Sequence, residues 1–171
     1  DSKRENEVRK ILSDIQKRTQ TYVSVKTLLN LATAIFSYIV LEVVGLDLAG
    51  FWAFVIFLLA YIPTIGSLLG VVFPALMAIV QFASWGPFLI ITIGLGVAQF
   101  VIGNVLEPKM MGKSLNLSSL VVIISLAVWG SIWGVTGMFL SVPITIIIMI
   151  VLAEFQQTRP IAVLLSADGK V

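Results

Sequence analysis

Between Thr27 and Leu106 the chain has no lysine and no arginine, and its only acidic residues there are Glu42 and Asp47. A soluble domain carries about 25% charged residues distributed over its whole surface. A stretch this long and this poor in charge cannot be wrapped in a water-facing shell, so lipid must solvate much of it. In lipid every backbone N–H and C=O must be satisfied within the protein, which favours helices. Composition agrees, with 58% hydrophobic and 12% charged residues and a mean hydropathy of +1.05. The fold class expected is therefore all-α: a polytopic helical membrane protein with about six membrane helices, some broken or re-entrant. An amphipathic arm helix precedes them.

Three regions are expected. Residues 1–25 form a basic amphipathic cytoplasmic arm, 26–158 a helical membrane domain, and 159–171 a cytoplasmic tail. In the arm, Val8, Ile11, Leu12, Ile15 and Tyr22 recur at helical spacing, with Arg9, Lys10, Lys17 and Arg18 between them. Seven of the eleven basic residues lie between Lys3 and Lys26. Such an arm suits either an anionic leaflet or a solvated protein surface. The first span, from Lys26 to Val44, is interrupted by Asn30, Thr33, Ser37, Tyr38 and Glu42, so one face should meet protein or water. Leu48 to Ile62 is short and ends at Pro63 and Gly66, where the helix should break. Ser67–Ser84 is the next helix, Trp85-Gly86-Pro87 a turn, and Phe88–Leu106 a good span. A charged loop is expected from Glu107 to Ser114, then helices from Leu117 to Val135 and from Gly137 to Phe155.

Basic loops stay cytoplasmic. The arm, the Lys109/Lys113 loop and the Arg159 tail then share the cytoplasmic side, and turns without lysine or arginine share the other. Re-entrant hairpins at Pro63 or Gly134 would keep the same parity. The expected location is a bacterial or archaeal plasma or inner membrane. No cleavable signal peptide is legible, and the opening in a charged arm suggests a piece of a longer protein.

With no cysteine and no histidine, zinc sites, thiolate nucleophiles and histidine relays are excluded. Phosphate-binding, nucleophile-elbow and zincin motifs do not occur. The sequence implies no cofactor, no metal site, no enzyme activity and no nucleic-acid partner. Its partners are the lipid bilayer, a small solute or monovalent cation, and further copies of itself in a homo-oligomer.

Polar groups at membrane depth are costly unless paired or facing water, which makes them pathway candidates. These are Gln99, Asn104, Glu107, Lys109 and Glu42. For Glu107, Lys109 and Glu42 the competing reading is an interfacial charge that marks a helix end, and for Gln99 an interhelical hydrogen bond. Pro63 and Gly66 mark a break at which freed backbone groups could face a cavity, or a simple tight loop. Pro74 and Pro143 lie inside helices as bends or hinges. Gly130, Gly134 and Gly137 suit close helix packing, with Trp129 and Trp133 as an interfacial belt.

Three segments resemble the carboxy-terminal half of the autoinducer-2 exporter family of membrane proteins. They are Tyr61-Ile62-Pro63-Thr64-Ile65-Gly66, then Asn104-Val105-Leu106-Glu107-Pro108-Lys109-Met110-Met111-Gly112-Lys113-Ser114-Leu115, then Trp129-Gly130-Ser131-Ile132-Trp133-Gly134-Val135-Thr136-Gly137-Met138 with Val142-Pro143 after it. The resemblance implies a secondary transporter or permease, with further spans ahead of the arm in the full-length protein. Its members are regarded as autoinducer-2 exporters or as sodium(lithium)/proton antiporters. A coupled antiporter needs a carboxylate that changes protonation, and Glu42 and Glu107 are the available ones; a neutral-solute exporter would rely on amides and hydroxyls. A non-transporting membrane scaffold, held by the arm and the glycines, is the third reading.

Overall fold

The computed structural model describes residues 2–111 and 116–169. It is helical, with a single isolated antiparallel bridge between Leu117 and Ser166 and no strand among the described residues. The helices are α1 (Ser2–Val44), α2 (Ala49–Leu59), α3 (Ile65–Phe82), α4 (Trp85–Val101), α5 (Glu107–Met111), α6 (Ser119–Glu154) and α7 (Arg159–Leu165), with a π-helical turn at Ile102–Leu106 between α4 and α5. Among the described residues, four runs are long and apolar enough to cross a membrane: Val8–Val44, Ile65–Phe82, Trp85–Met111 and Ser119–Glu154. The chain is an all-α polytopic membrane protein.

Two compact units are formed, Val25–Met110 and, separately, Asp1–Ser24 with Met111–Val171. In the first, α3 packs along α4 and against α2. Its core joins Leu41, Leu46, Ala49, Ile56, Ala75, Ala78, Ile91 and Leu95. Most of these lie toward the end of the unit where α1 finishes, α2 starts, α3 finishes and α4 starts, with Ile56 in the last turn of α2 and Ala75 and Leu95 near the middle of α3 and α4. The turn from α1 to α2 is held by Gln81 of α3. Its amide oxygen accepts from the Asp47 N–H at 2.7 Å and its nitrogen donates to the Gly45 carbonyl at 2.8 Å. Because these bonds are exposed, Gln81→Leu is expected to cost only about 1 kcal/mol. Hydrogen exchange at Gly45–Leu48, rising before global unfolding, is the measurement that checks it.

The break at Pro63 is real and sharp. A Cβ at Gly66 would overlap the Leu59 carbonyl oxygen. Seven residues along an unbroken helix would separate them by about 10 Å, so α2 and α3 form a tight hairpin. Thr64 at its tip has φ 61°, a conformation that a β-branched residue rarely adopts.

In the second unit the chain turns back at Gly134, whose φ of 60° and ψ of −138° interrupt α6. Only glycine reaches that region readily. A Cβ at Gly137 would overlap the Trp129 carbonyl oxygen, and Gly130 lies against Met138. The glycines thus permit the two arms of α6 to meet. The residues after Arg159, expected only as a tail, contain α7, with Pro160 in its first turn.

Two sequence expectations are corrected. Trp85, Gly86 and Pro87 are not a turn but the first turn of α4, where a missing proline N–H leaves no helical bond unmade; the reversal is at Ala83, φ 46°. Glu107 to Met111 is helix rather than loop. Pro108 cannot donate to a preceding carbonyl, and the wide turn ahead of it, with the Glu107 N–H on the Ile102 carbonyl, accommodates the ring without ending the helix. Gly112, Lys113, Ser114 and Leu115 lie outside the described residues.

Candidate functional site

One face of α1 carries the site. Lys26, Asn30, Thr33, Ser37 and Leu41 follow the helical stride, and their exposures are 6, 3, 2, 1 and 0%. Residues spaced three and four apart share a face, so this is one buried stripe. It grades along its length from ammonium through amide and hydroxyl to pure hydrocarbon. The Thr33 hydroxyl donates back to the Leu29 carbonyl at 2.8 Å. The Asn30 Nδ2 and Ser37 Oγ have no protein hydrogen-bond partner.

The polar part of the stripe borders a cavity of about 320 Å³, at the lower end of the ~300–1,000 Å³ usual for small-molecule sites. Lys26, Asn30 and Thr33 line it from α1. The α2–α3 hairpin contributes Ala60, Ile62, Pro63, Thr64 and Ser67. Gln99 lines it from α4, Ile102, Gly103 and Asn104 from the π-turn, and Glu107 from the start of α5. Widening the helix there lets three consecutive residues, Ile102 to Asn104, border the same space. This is a common use of a π-turn at a functional site.

The charges in the cavity are joined. The Lys26 ammonium donates to both Glu107 oxygens, at 2.7 and 2.8 Å, and the Glu107 side chain is 26% exposed. Beside Lys26, the hydroxyls of Thr27 and Tyr61 are 2.7 Å apart. Asn104 donates from Nδ2 to the Phe100 carbonyl at 3.1 Å. Gln99 has its Nε2 buried without a protein partner, 3.2 Å from the place a Cβ would take on Gly70. Gly70 thereby leaves room for the Gln99 amide.

Of the residues the sequence singled out, Gln99, Asn104, Glu107 and Pro63 come together at this cavity. Lys109, two residues past Glu107, is exposed and outside it, and Glu42 is exposed on α1, one residue off the buried stripe. Gly66 is buried at the hairpin and Pro74 within α3. Gly130, Gly134, Gly137 and Pro143 belong to the other unit. Sequence reasoning did not select Lys26, Asn30, Thr33 and Ser67 as site residues, although the stride from Lys26 to Ser37 was there to be read.

The sequence model of AI-2E family transporters matches residues 1–157. The chain is 39% identical over 149 residues to the AI-2 transport protein TqsA of Escherichia coli (strain K12), covering 87% of this chain and 43% of that one. It is 39% identical over 144 residues to a putative transport protein of Haemophilus influenzae, covering 84% and 41%. A putative transport protein of Borreliella burgdorferi is 33% identical over 158 residues, covering 92% and 44%. The chain thus spans less than half the length of each of these relatives.

Proposed function

We propose a function from one premise: the chain belongs to the AI-2E family of transporters, as a multi-pass protein of the cell membrane. The polar cavity within Val25–Met110 carries the proposal. It is part of the pathway of a small, electrically neutral, oxygen-bearing solute of the autoinducer-2 type. Lys26 and Glu107 cancel each other's charge, which favours a neutral occupant. The Asn30 and Gln99 amide nitrogens have no protein acceptor, and buried donors need one; hydroxyl or carbonyl oxygens of a solute would supply it. A relative named for AI-2 transport supports the same class.

The direction is export. The cavity lies at the end of its unit where α2 turns into α3 and α4 runs out, and the apolar core fills the opposite end. The distribution of basic residues assigns the cavity end to the cytoplasm, the side from which an exported solute loads. The same rule assigns the basic arm of residues 1–25 to the cytoplasm, and the protein acts as a homo-oligomer. No catalytic step is part of this function.

The test is made on the full-length parent protein in liposomes, comparing autoinducer-2 flux with sodium-driven proton movement. Autoinducer-2 flux alone supports the proposal. Sodium-dependent proton movement makes the protein an antiporter with Glu107 at its centre, and silence in both favours the scaffold. Gly70→Ala supplies a finer check. Its new methyl presses closely on the movable end of Gln99 and meets Ile56 at ordinary contact distances of 3.5 and 3.7 Å, so the melting temperature should stay within about 3 °C of wild type. Flux should nevertheless fall about tenfold, as expected when a hydrogen bond to solute worth about 1.4 kcal/mol is lost.

A further inference from the structure

Lys26 holds a position that a mobile cation would otherwise take. Its ammonium is buried and touches both oxygens of Glu107, and the neutral oxygen-bearing side chains Asn30, Ser67 and Asn104 line the same cavity. A carboxylate with neighbouring amide, hydroxyl and freed backbone oxygens is the donor set that membrane proteins use for sodium. We propose that Lys26 is the specificity-determining residue of this cavity: a tethered cation that fills a monovalent-cation site at Glu107 and so excludes sodium and lithium. The inference rests on the reading of the cavity as a solute pathway and adds what keeps that pathway uncoupled from cations.

The physical argument is one of exchange. Glu107 is about three-quarters withdrawn from water, and a charge held there favours a counter-charge beside it. While Lys26 is in place the partner is covalently attached, at an effective concentration that free sodium does not match. Removing the ammonium and keeping the stem, as in Lys26→Met, leaves Glu107 with the same cavity and no cation. Sodium can then take the place.

The experiment measures thermal unfolding of the full-length protein in nanodiscs at fixed pH and ionic strength, exchanging choline chloride for sodium or lithium chloride. Wild type should show no sodium-specific change. Lys26→Met should melt about 5 °C higher in saturating sodium than in choline, the size expected for a ligand near 100 times its Kd. The double variant K26M/E107Q should lose that response. If Lys26→Met fails to fold, Lys26→Gln, which is polar but carries no charge, must give the same sodium-specific rise. A folded Lys26→Met or Lys26→Gln protein indifferent to sodium overturns the proposal, as does a wild-type sodium response that Glu107→Gln abolishes. Solute flux is read separately. Flux unaffected by Gln99→Leu would remove the pathway reading while leaving the cation result to stand or fall alone.

Discussion

Glu107→Ala is expected to destabilise the protein by about 3–5 kcal/mol, the usual cost of removing one partner of a buried ion pair. The orphaned group decides the size. Lys26 is 6% exposed, and both of its contacts to carboxylate oxygen are to Glu107. Once Glu107 is gone, its ammonium must recruit water or pull the start of the membrane-embedded part of α1 out of place. The pair itself adds much less net stability than its rupture costs, because bringing both charges out of water offsets most of their attraction. The double variant K26M/E107A should therefore recover most of the loss, giving a coupling energy of about 2–3 kcal/mol. Chemical denaturation of the four proteins in matched detergent checks this. A Glu107→Ala cost below about 1 kcal/mol would place the pair among exposed surface bridges and would contradict its burial.

The helical character of the chain and its lipid solvent were legible because they depend on composition and on runs of many residues, which no single contact can reverse. The break at Pro63 and the reversal at Gly134 were legible for a local reason: proline restricts the backbone and glycine frees it wherever they stand. The site was only partly legible. Gln99, Asn104 and Glu107 stood out as polar groups in an apolar run, but Lys26 sat at the edge of a basic arm and was indistinguishable from its neighbours by type. What separates it is phase. It shares the stride of Asn30, Thr33 and Ser37, whereas Glu42 is one residue off that stride and faces outward. Pro108 misled in the opposite sense. Read locally it ends a helix, and the π-turn that absorbs it depends on the i→i−5 bond from Glu107 to Ile102, which sequence does not announce. Which charge pairs with which across 81 positions is a tertiary fact, and no local rule contains it.

Gly66→Ala is the second large effect, and its sign runs against propensity. Within an exposed helix, glycine to alanine stabilises by about 1 kcal/mol. Gly96 of α4 offers the comparison, since a Cβ there meets nothing within 4 Å, and Gly96→Ala should gain about 0.5–1 kcal/mol. At Gly66 the same methyl lands on the Leu59 carbonyl oxygen. That oxygen is fixed by accepting the Ile62 N–H at 2.8 Å, and the Gly66 N–H in turn donates to Ile62. A side chain could rotate away; this backbone cannot move without opening the hairpin. Gly66→Ala is therefore expected to lose about 3 kcal/mol or more, above the usual range for an added methyl because the obstruction is main chain. The loss should also reach function. Ile62, Pro63, Thr64 and Ser67 line the cavity from this hairpin, so splaying α2 from α3 removes one of its walls. The expected result is a protein with a lowered melting temperature and no solute flux in liposomes, beside a Gly96→Ala protein with both intact. Equal melting temperatures for the two variants would mean that α2 and α3 do not meet as closely as Gly66 requires. Retained flux in a destabilised Gly66→Ala protein would instead mean that the hairpin holds the fold together without forming a wall of the pathway.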